Sequence, residues 1–163
     1  MKNLNNKSAE LDDVDEKLIN ALSENARISM RDLARLVGMS APSVAERVRR
    51  LEDIGVIRAF TVDLNPKALG YSLQAIVRIK PLPGQLHRVE RAIQDLKECI
   101  ECDKVTGEDC FVARLCVRDI GGLDDLLDTL SPHAETNTSI VKASPVLRRL
   151  PPLRQREGGS ITR

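Results

Sequence analysis

Gly38, Met39 and Ser40 place the end of one helix and the start of the next within three residues, and that compression leaves few folds open. Ahead of them, Met30, Leu33, Ala34 and Val37 recur at helical spacing, and Gly38 supplies the left-handed residue at which such a helix stops. Ser29, with Asp32 three residues on, resembles a capping box at its start. Behind the turn, Ser40 is suited to cap the next helix, and Pro42 falls in its first turn, where the amide it lacks would be unpaired anyway. Val44, Val48 and Leu51 form the buried stripe of that helix. A helical wheel sets Ser43, Glu46, Arg49 and Arg50 on the opposite face, with Arg47 on its flank. Gly55 should end it, and residues 57–62 read as a short strand. An earlier helix is marked by Leu11, Val14, Leu18 and Leu22, with acids at 12, 13, 15 and 16 crowding the first turn, where they complement the helix dipole. It should end near Asn25.

Two helices joined by a tight glycine turn, the second of them capped and basic, form the helix-turn-helix pattern, whose second member enters the major groove of DNA. A groove about 12 Å wide admits one helix, and the small residues Ser40, Ala41 and Ser43 let its backbone approach base edges. Charge supports the pattern. Residues 27–58 hold seven arginines against four acids, although the chain as a whole carries only +1. On this reading Arg47, with Ser43, contacts base edges, Ser40 lies at the groove end of the helix, and Arg31, Arg49 and Arg50 grip phosphates. A packing module whose arginines serve solubility is the other reading of the same spacing.

In the second half, Leu73, Ala75, Val77 and Ile79 alternate with Gln74, Ile76, Arg78 and Lys80 as a half-buried strand. Leu86, Val89, Ile93 and Leu96 follow as a helix stripe. Strands are expected at 100–105 and 110–117, then a helix capped by Asp119 and lined by Leu123, Leu126, Leu127 and Leu130, then a last strand at 138–146. Strand-helix-strand-strand-helix-strand is the ferredoxin-like split unit. The expected class is α+β, a three-helix winged helix-turn-helix followed by a ferredoxin-like βαββαβ domain. Boundaries fall at 1–10 (a flexible start), 11–58, 59–70 (strand and hinge), 71–147, and 148–163. That last stretch, with five arginines against Glu157, reads as an extended or disordered basic tail. Two helices cover one face of such a sheet, leaving the other, with Ile76, Cys110, Val112 and Cys116, for a second copy of the chain.

The runs Asp12-x-x-Asp15, Leu18-Ile19-x-x-Leu22, Glu24-Asn25-Ala26-Arg27, residues 32–40 (DLARLVGMS), residues 43–52 (SVAERVRRLE), Gly55-Val56-Ile57-Arg58 and residues 63–70 (DLNPKALG) together resemble the leucine/asparagine-responsive regulators (Lrp/AsnC, feast-or-famine). The resemblance spans nearly the whole folded chain. It implies a transcriptional regulator that binds double-stranded DNA, with a second domain that forms dimers, further assembled into octamers of four dimers, and senses an amino acid or related small metabolite.

The resemblance places the effector between the turn at 106–109 and the stretch 136–139. A free amino acid needs donors for its carboxylate and an acid or carbonyls for its ammonium. Gly107, Glu108, Asp109 and Cys110 on one side, and Thr136, Thr138 and Ser139 with Asn137 on the other, are the candidate residues. The family pattern sets an acid three residues after the glycine; here Cys110 stands there, with Asp109 one residue early. A one-residue slip in a strand reverses the face, so Asp109 is expected to be a poor substitute. A plain hairpin-turn role for Gly107 and Asp109 stands beside the ligand role.

No Gly-rich phosphate loop, zinc motif or nucleophile set is recognisable, so neither enzyme activity, a metal nor a cofactor is expected. Cys99-x-x-Cys102 is the one exception to weigh, as a redox or metal switch against a structural role. A regulatory subunit acting on a protein partner is the other alternative. With no secretory signal and no apolar run near 20 residues, the expected place is the cytoplasm, away from membranes.

Overall fold

The computed structural model describes residues 10–153, which fall into two compact units, one ending at Val62 and one spanning Asp63–Leu147, with residues 148–153 grouped with the first. Residues 1–9, read from the sequence as part of a flexible start, and Arg154, Arg156 and Arg163 of the basic tail lie outside the described residues.

The first unit holds α1 (Asp13–Glu24), α2 (Met30–Val37) and α3 (Ala41–Asp53). Each helix starts on a side chain that satisfies an otherwise orphaned amide. Asp12 and Asp15 form a reciprocal capping box on α1, while Ser29 and Ser40 accept from the amides of Asp32 and Ser43. Gly38 stops α2 at φ 69°, a backbone conformation that costs glycine nothing. Leu18, Leu22, Leu33, Ala34, Val44 and Val48 make the core, and Val14, Val37 and Ile57 pack around it. Burying each of these leucine and valine side chains contributes roughly 1.5–3 kcal/mol.

Residues 57–62 form no strand in this chain, contrary to the reading of their sequence. A strand needs a ladder partner for its amides and carbonyls, and this segment has none here. Phe60 and Val62 are correspondingly exposed.

The second unit opens with a 3-10 turn, Pro66–Leu69, and continues as β1 (Leu73–Pro81), α4 (Leu86–Asp95), β2 (Cys99–Lys104), β3 (Phe111–Val117), α5 (Ile120–Leu130) and β4 (Ala134–Ile140). The strands form one antiparallel sheet in the order β2-β3-β1-β4, the ferredoxin-like arrangement that the sequence implies. Ala75, Val77, Ile79, Phe111, Ala113 and Leu115 cluster with Val89 and Ile93 of α4 and Leu123 and Leu130 of α5. Asp119 caps α5 by accepting from the Gly122 amide.

β4 begins and ends earlier than the expected 138–146. Its register is set by β1, against which Ala134 pairs with Pro81 and Ile140 with Ala75, and beyond residue 141 the chain leaves the sheet.

Candidate functional site

The expected reading surface is α3. Its outward residues Pro42, Ser43, Ala45, Glu46 and Arg49 are exposed, as are Ser40, before its first turn, and Arg31 on α2. Arg31 and Arg49 have no ion-pair partner among the described residues. The Ser40 and Ser43 hydroxyls lie 2.7 Å apart, so they partner each other across the first turn.

Arg47 and Arg50 stand differently from the sequence reading. One guanidinium nitrogen of Arg47 donates to Asp12 Oδ2 at 2.7 Å and to Asp15 Oδ1 at 2.9 Å, and Arg50 Nη2 donates to Asp15 Oδ2 at 2.5 Å. Only 1% of the Asp15 side chain is exposed. The first turn of α1 is thus bolted to the middle of α3. The Asp15 amide, and after it the Arg47 guanidinium, hold the Asp12 carboxyl below its usual range; Asp12 and then Asp15 raise Arg47 in turn. The wheel placed Arg47 on the flank of α3, and the flank turns out to face α1. The Asp12-x-x-Asp15 capping spacing was the available signal for this pair, although its reach to α3 is a tertiary contact.

In the second unit, strand pairing divides the candidate effector residues. Thr136 pairs with Ile79 and Thr138 with Val77, so both lie on the helix-covered face; Asn137 pairs with Arg78 and Ser139 with Ile76, on the helix-free face. Arg78 Nη2 donates to Asn137 Oδ1 at 3.0 Å, and its Nε lies 3.7 Å from Asp109 Oδ2. Asp109, expected to be a poor substitute because a strand slip would reverse its face, lies beside Arg78 all the same, since β3 begins only at Phe111 and strand alternation does not govern residue 109. Gly107 turns the chain at φ 112°, Glu108 is exposed, and Cys110 packs against the core while its amide donates to the Ile79 carbonyl. Arg78 and Asn137 complete the group; Arg78, read as a strand position facing out, had not been singled out.

The helix-free face is less apolar than its sequence suggests. Cys116 is buried and Cys110 half-buried, leaving Ile76 and Val112 beside Arg78 and Arg114. All four cysteines are free. Burial pushes the Cys99 thiol up, and burial, Cys99, Asp103 and Glu90 push Cys102 up to about 11. Neither thiol is then a ready nucleophile at neutral pH. Among the described residues, no helix is long and apolar enough to cross a membrane.

Residues 148–153 have no regular structure. Arg149 to Leu153 lie against Glu16 and Asn20 of α1, lining an open recess.

Two family models match the chain, an AsnC-type helix-turn-helix domain over residues 11–52 and an Lrp/AsnC ligand binding domain over 74–151. The transcriptional regulator LrpC of Bacillus subtilis is 32% identical over 131 residues, covering 80% of this chain and 91% of that protein. LrpA of Mycobacterium tuberculosis is 35% identical over 129 residues, covering 78% and 86%. The solved structure of B. subtilis LrpC superposes with a TM-score of 0.80 at 30% identity, over 85% of this chain and 99% of that one. A feast or famine regulatory protein of M. tuberculosis, complexed with L-methionine, gives 0.80 at 32% identity, over 86% and 98%. The helix-turn-helix unit, the four-stranded second unit and these matches lead to one conclusion: the chain belongs to the Lrp/AsnC family of helix-turn-helix transcriptional regulators.

Proposed function

We propose that this regulator reads a specific DNA sequence through α3 and that an amino acid or closely related metabolite modulates it through the second unit. The observation that carries the DNA reading is the division of labour on α3. Arg47 and Arg50 are committed to Asp12 and Asp15, which fixes the helix. Pro42, Ser43, Ala45, Glu46 and Arg49 are left facing outward. Arg49 and Ser43 then reach base edges, Arg31 and the exposed part of Arg50 hold phosphates, and Ser40 caps the end that enters the groove. Arg47 acts as a positioning residue. Two copies in a homodimer would present α3 to half-sites about one helical turn, roughly 34–36 Å, apart or a multiple of that; octamers of four dimers are the larger assembly in this reading. The place of work is the cytoplasm, with the DNA, and no catalytic step is assigned.

The effector reading rests on Arg78 and Asp109. The two groups are of opposite charge, partly exposed, and 3.7 Å apart at their nearest atoms. A zwitterion can enter such a pair, its carboxylate meeting the Arg78 guanidinium and its ammonium meeting Asp109. Asn137, Ser139 and the amides of the Gly107 turn supply polar contacts nearby.

A mobility-shift titration on the DNA upstream of the chain's own coding region tests the first claim. Nanomolar binding that weakens log-linearly with salt, by about 0.9 in slope per neutralised phosphate, supports it. Absence of any shift would favour instead a regulatory subunit that acts on a protein partner. Thermal-shift screening of the twenty amino acids tests the second, since a ligand of the folded form raises apparent stability.

A further inference from the structure

The bulge in β2 changes where its two cysteines point. Cys99 pairs with Leu115, Glu101 with Arg114 and Cys102 with Ala113, so Ile100 is the extra residue. Residues three apart on a regular strand lie on opposite faces; one inserted residue brings Cys99 and Cys102 onto the same face. Leu115 and Ala113 are buried beneath the helices, so both thiols stand on the helix-covered side of β2, which is an edge strand. Cys99 packs against the core. Cys102 lines a cavity of about 130 Å³ with Glu90, Ile93, Gln94, Lys104 and Phe111.

Spacing decides what such a pair can do. Their strand partners are two residues apart, which sets the cysteines roughly 6.5–7 Å from each other with side chains projecting in parallel. A disulfide needs Cβ atoms about 3.5–4.5 Å apart, which this spacing does not provide. Two sulfurs leaning toward a shared ion need less, since metal–sulfur bonds of about 2.3 Å leave the sulfurs about 4.6 Å apart when the ion lies between them. Among the described residues, no group of three or more His, Cys, Asp or Glu is placed to hold a metal, so the four-ligand set of structural zinc is not assembled there. Thiolates select soft ions such as copper(I).

We propose that Cys99 and Cys102 form a two-sulfur site for a soft monovalent cation of the copper(I) class, held in linear coordination at the edge of the sheet. On binding, each thiol releases its proton to solvent, the ion takes up two thiolates, and no electron changes hands. Lys104, on the same face, is paired with Glu90 at 3.4 Å, so the two together add no net charge beside the resulting complex. β2 runs directly into the turn at 106–109, so the ion would fix the strand that carries one side of the effector group.

The test uses the reduced full-length protein, titrated without oxygen with copper(I) held by a colorimetric chelator. The expected result is removal of one ion per chain from the chelator and two sulfur neighbours by X-ray absorption. Uptake should be lost in Cys99→Ser and in Cys102→Ser but kept in Cys116→Ser. Because a substitution can disturb an edge strand, the unaltered chain gives an independent reading. In alkaline buffer, where such raised thiols ionise enough to be alkylated, copper(I) should shield Cys99 and Cys102 from iodoacetamide, mapped by mass spectrometry, and leave the labelling of Cys110 unchanged. No transfer from the chelator, full uptake by the C99S/C102S double variant, or protection falling on Cys110 and Cys116 would overturn the assignment.

Discussion

Asp15 of α1 and Arg47 of α3 are joined at 2.9 Å, with the carboxylate buried and the guanidinium on the rim. The second oxygen of Asp15 accepts from Arg50, and Asp12 closes the group by accepting from Arg47. A buried carboxylate without partners would be costly; here three donors, including the Asp12 amide, satisfy it. This arrangement gives α3, the helix proposed to face DNA, a fixed rotation about its axis.

Asp15→Ala should destabilise the first unit by about 2–3 kcal/mol, because charge-assisted hydrogen bonds to two arginines are lost together. The arginines themselves retain access to water, which keeps the loss below that of a fully buried pair. Chemical denaturation followed by helix circular dichroism measures it. A change under about 0.5 kcal/mol would mean that the clamp is not structural.

Acid should loosen the same clamp. The folded-state pKa of Asp12 is depressed below its ordinary 3.8, first by the Asp15 amide and then by Arg47. A depressed carboxylate contributes stability above its unfolded pKa and loses it as pH falls through the folded one. Between about pH 5 and pH 2.5 the wild type should therefore lose thermal stability more steeply than Asp12→Asn, which keeps a good helix cap. Parallel curves would argue against this contribution.

Arg49 and Arg47 should separate into a reader and a support. Arg49→Ala is expected to leave the melting temperature unchanged, weaken the specific site by about 1–3 kcal/mol and relax preference at one base position. Arg47→Ala should lower the melting temperature and weaken all DNA sequences alike. Binding to a randomised site library, with melting curves alongside, distinguishes them. If Arg47→Ala instead relaxes one base position without loss of stability, the roles are reversed.

Much of this architecture is written in local pattern. The caps Ser29, Ser40 and Asp119, the Gly38 stop and the alternation through residues 73–79 each depend on near neighbours, and the structure keeps them all. Sequence and structure part where a distant partner decides. Residues 57–62 have strand composition but no ladder, β4 takes its ends from β1, and Arg47 answers to acids more than 30 positions away. The faces of Thr136 and Thr138 follow from a register that only pairing reveals. Asp109 escaped strand logic because it precedes β3, and the Cys99–Cys102 relation needs a bulge that no spacing rule announces.

The Arg78–Asp109 pair makes the sharpest claim about ligand chemistry. If an amino acid inserts between them, each residue serves one end of the zwitterion, so the two single variants should fail differently. Arg78→Ala should abolish the thermal shift caused by an amino-acid effector and also that caused by its 2-oxo acid, since both need a partner for the carboxylate. Asp109→Ala should lose the response to the amino acid while keeping or strengthening the response to the oxo acid, which has no ammonium to place. The native pair is exposed by about half at Arg78 and a third at Asp109, so breaking it should cost no more than about 1 kcal/mol of stability, and folding will not confuse the comparison. Calorimetric titration of both ligands into both variants provides the measurement. Equal weakening of both ligands in both variants would show that the pair only shapes the turn, and binding would then have to be sought elsewhere on the helix-free face.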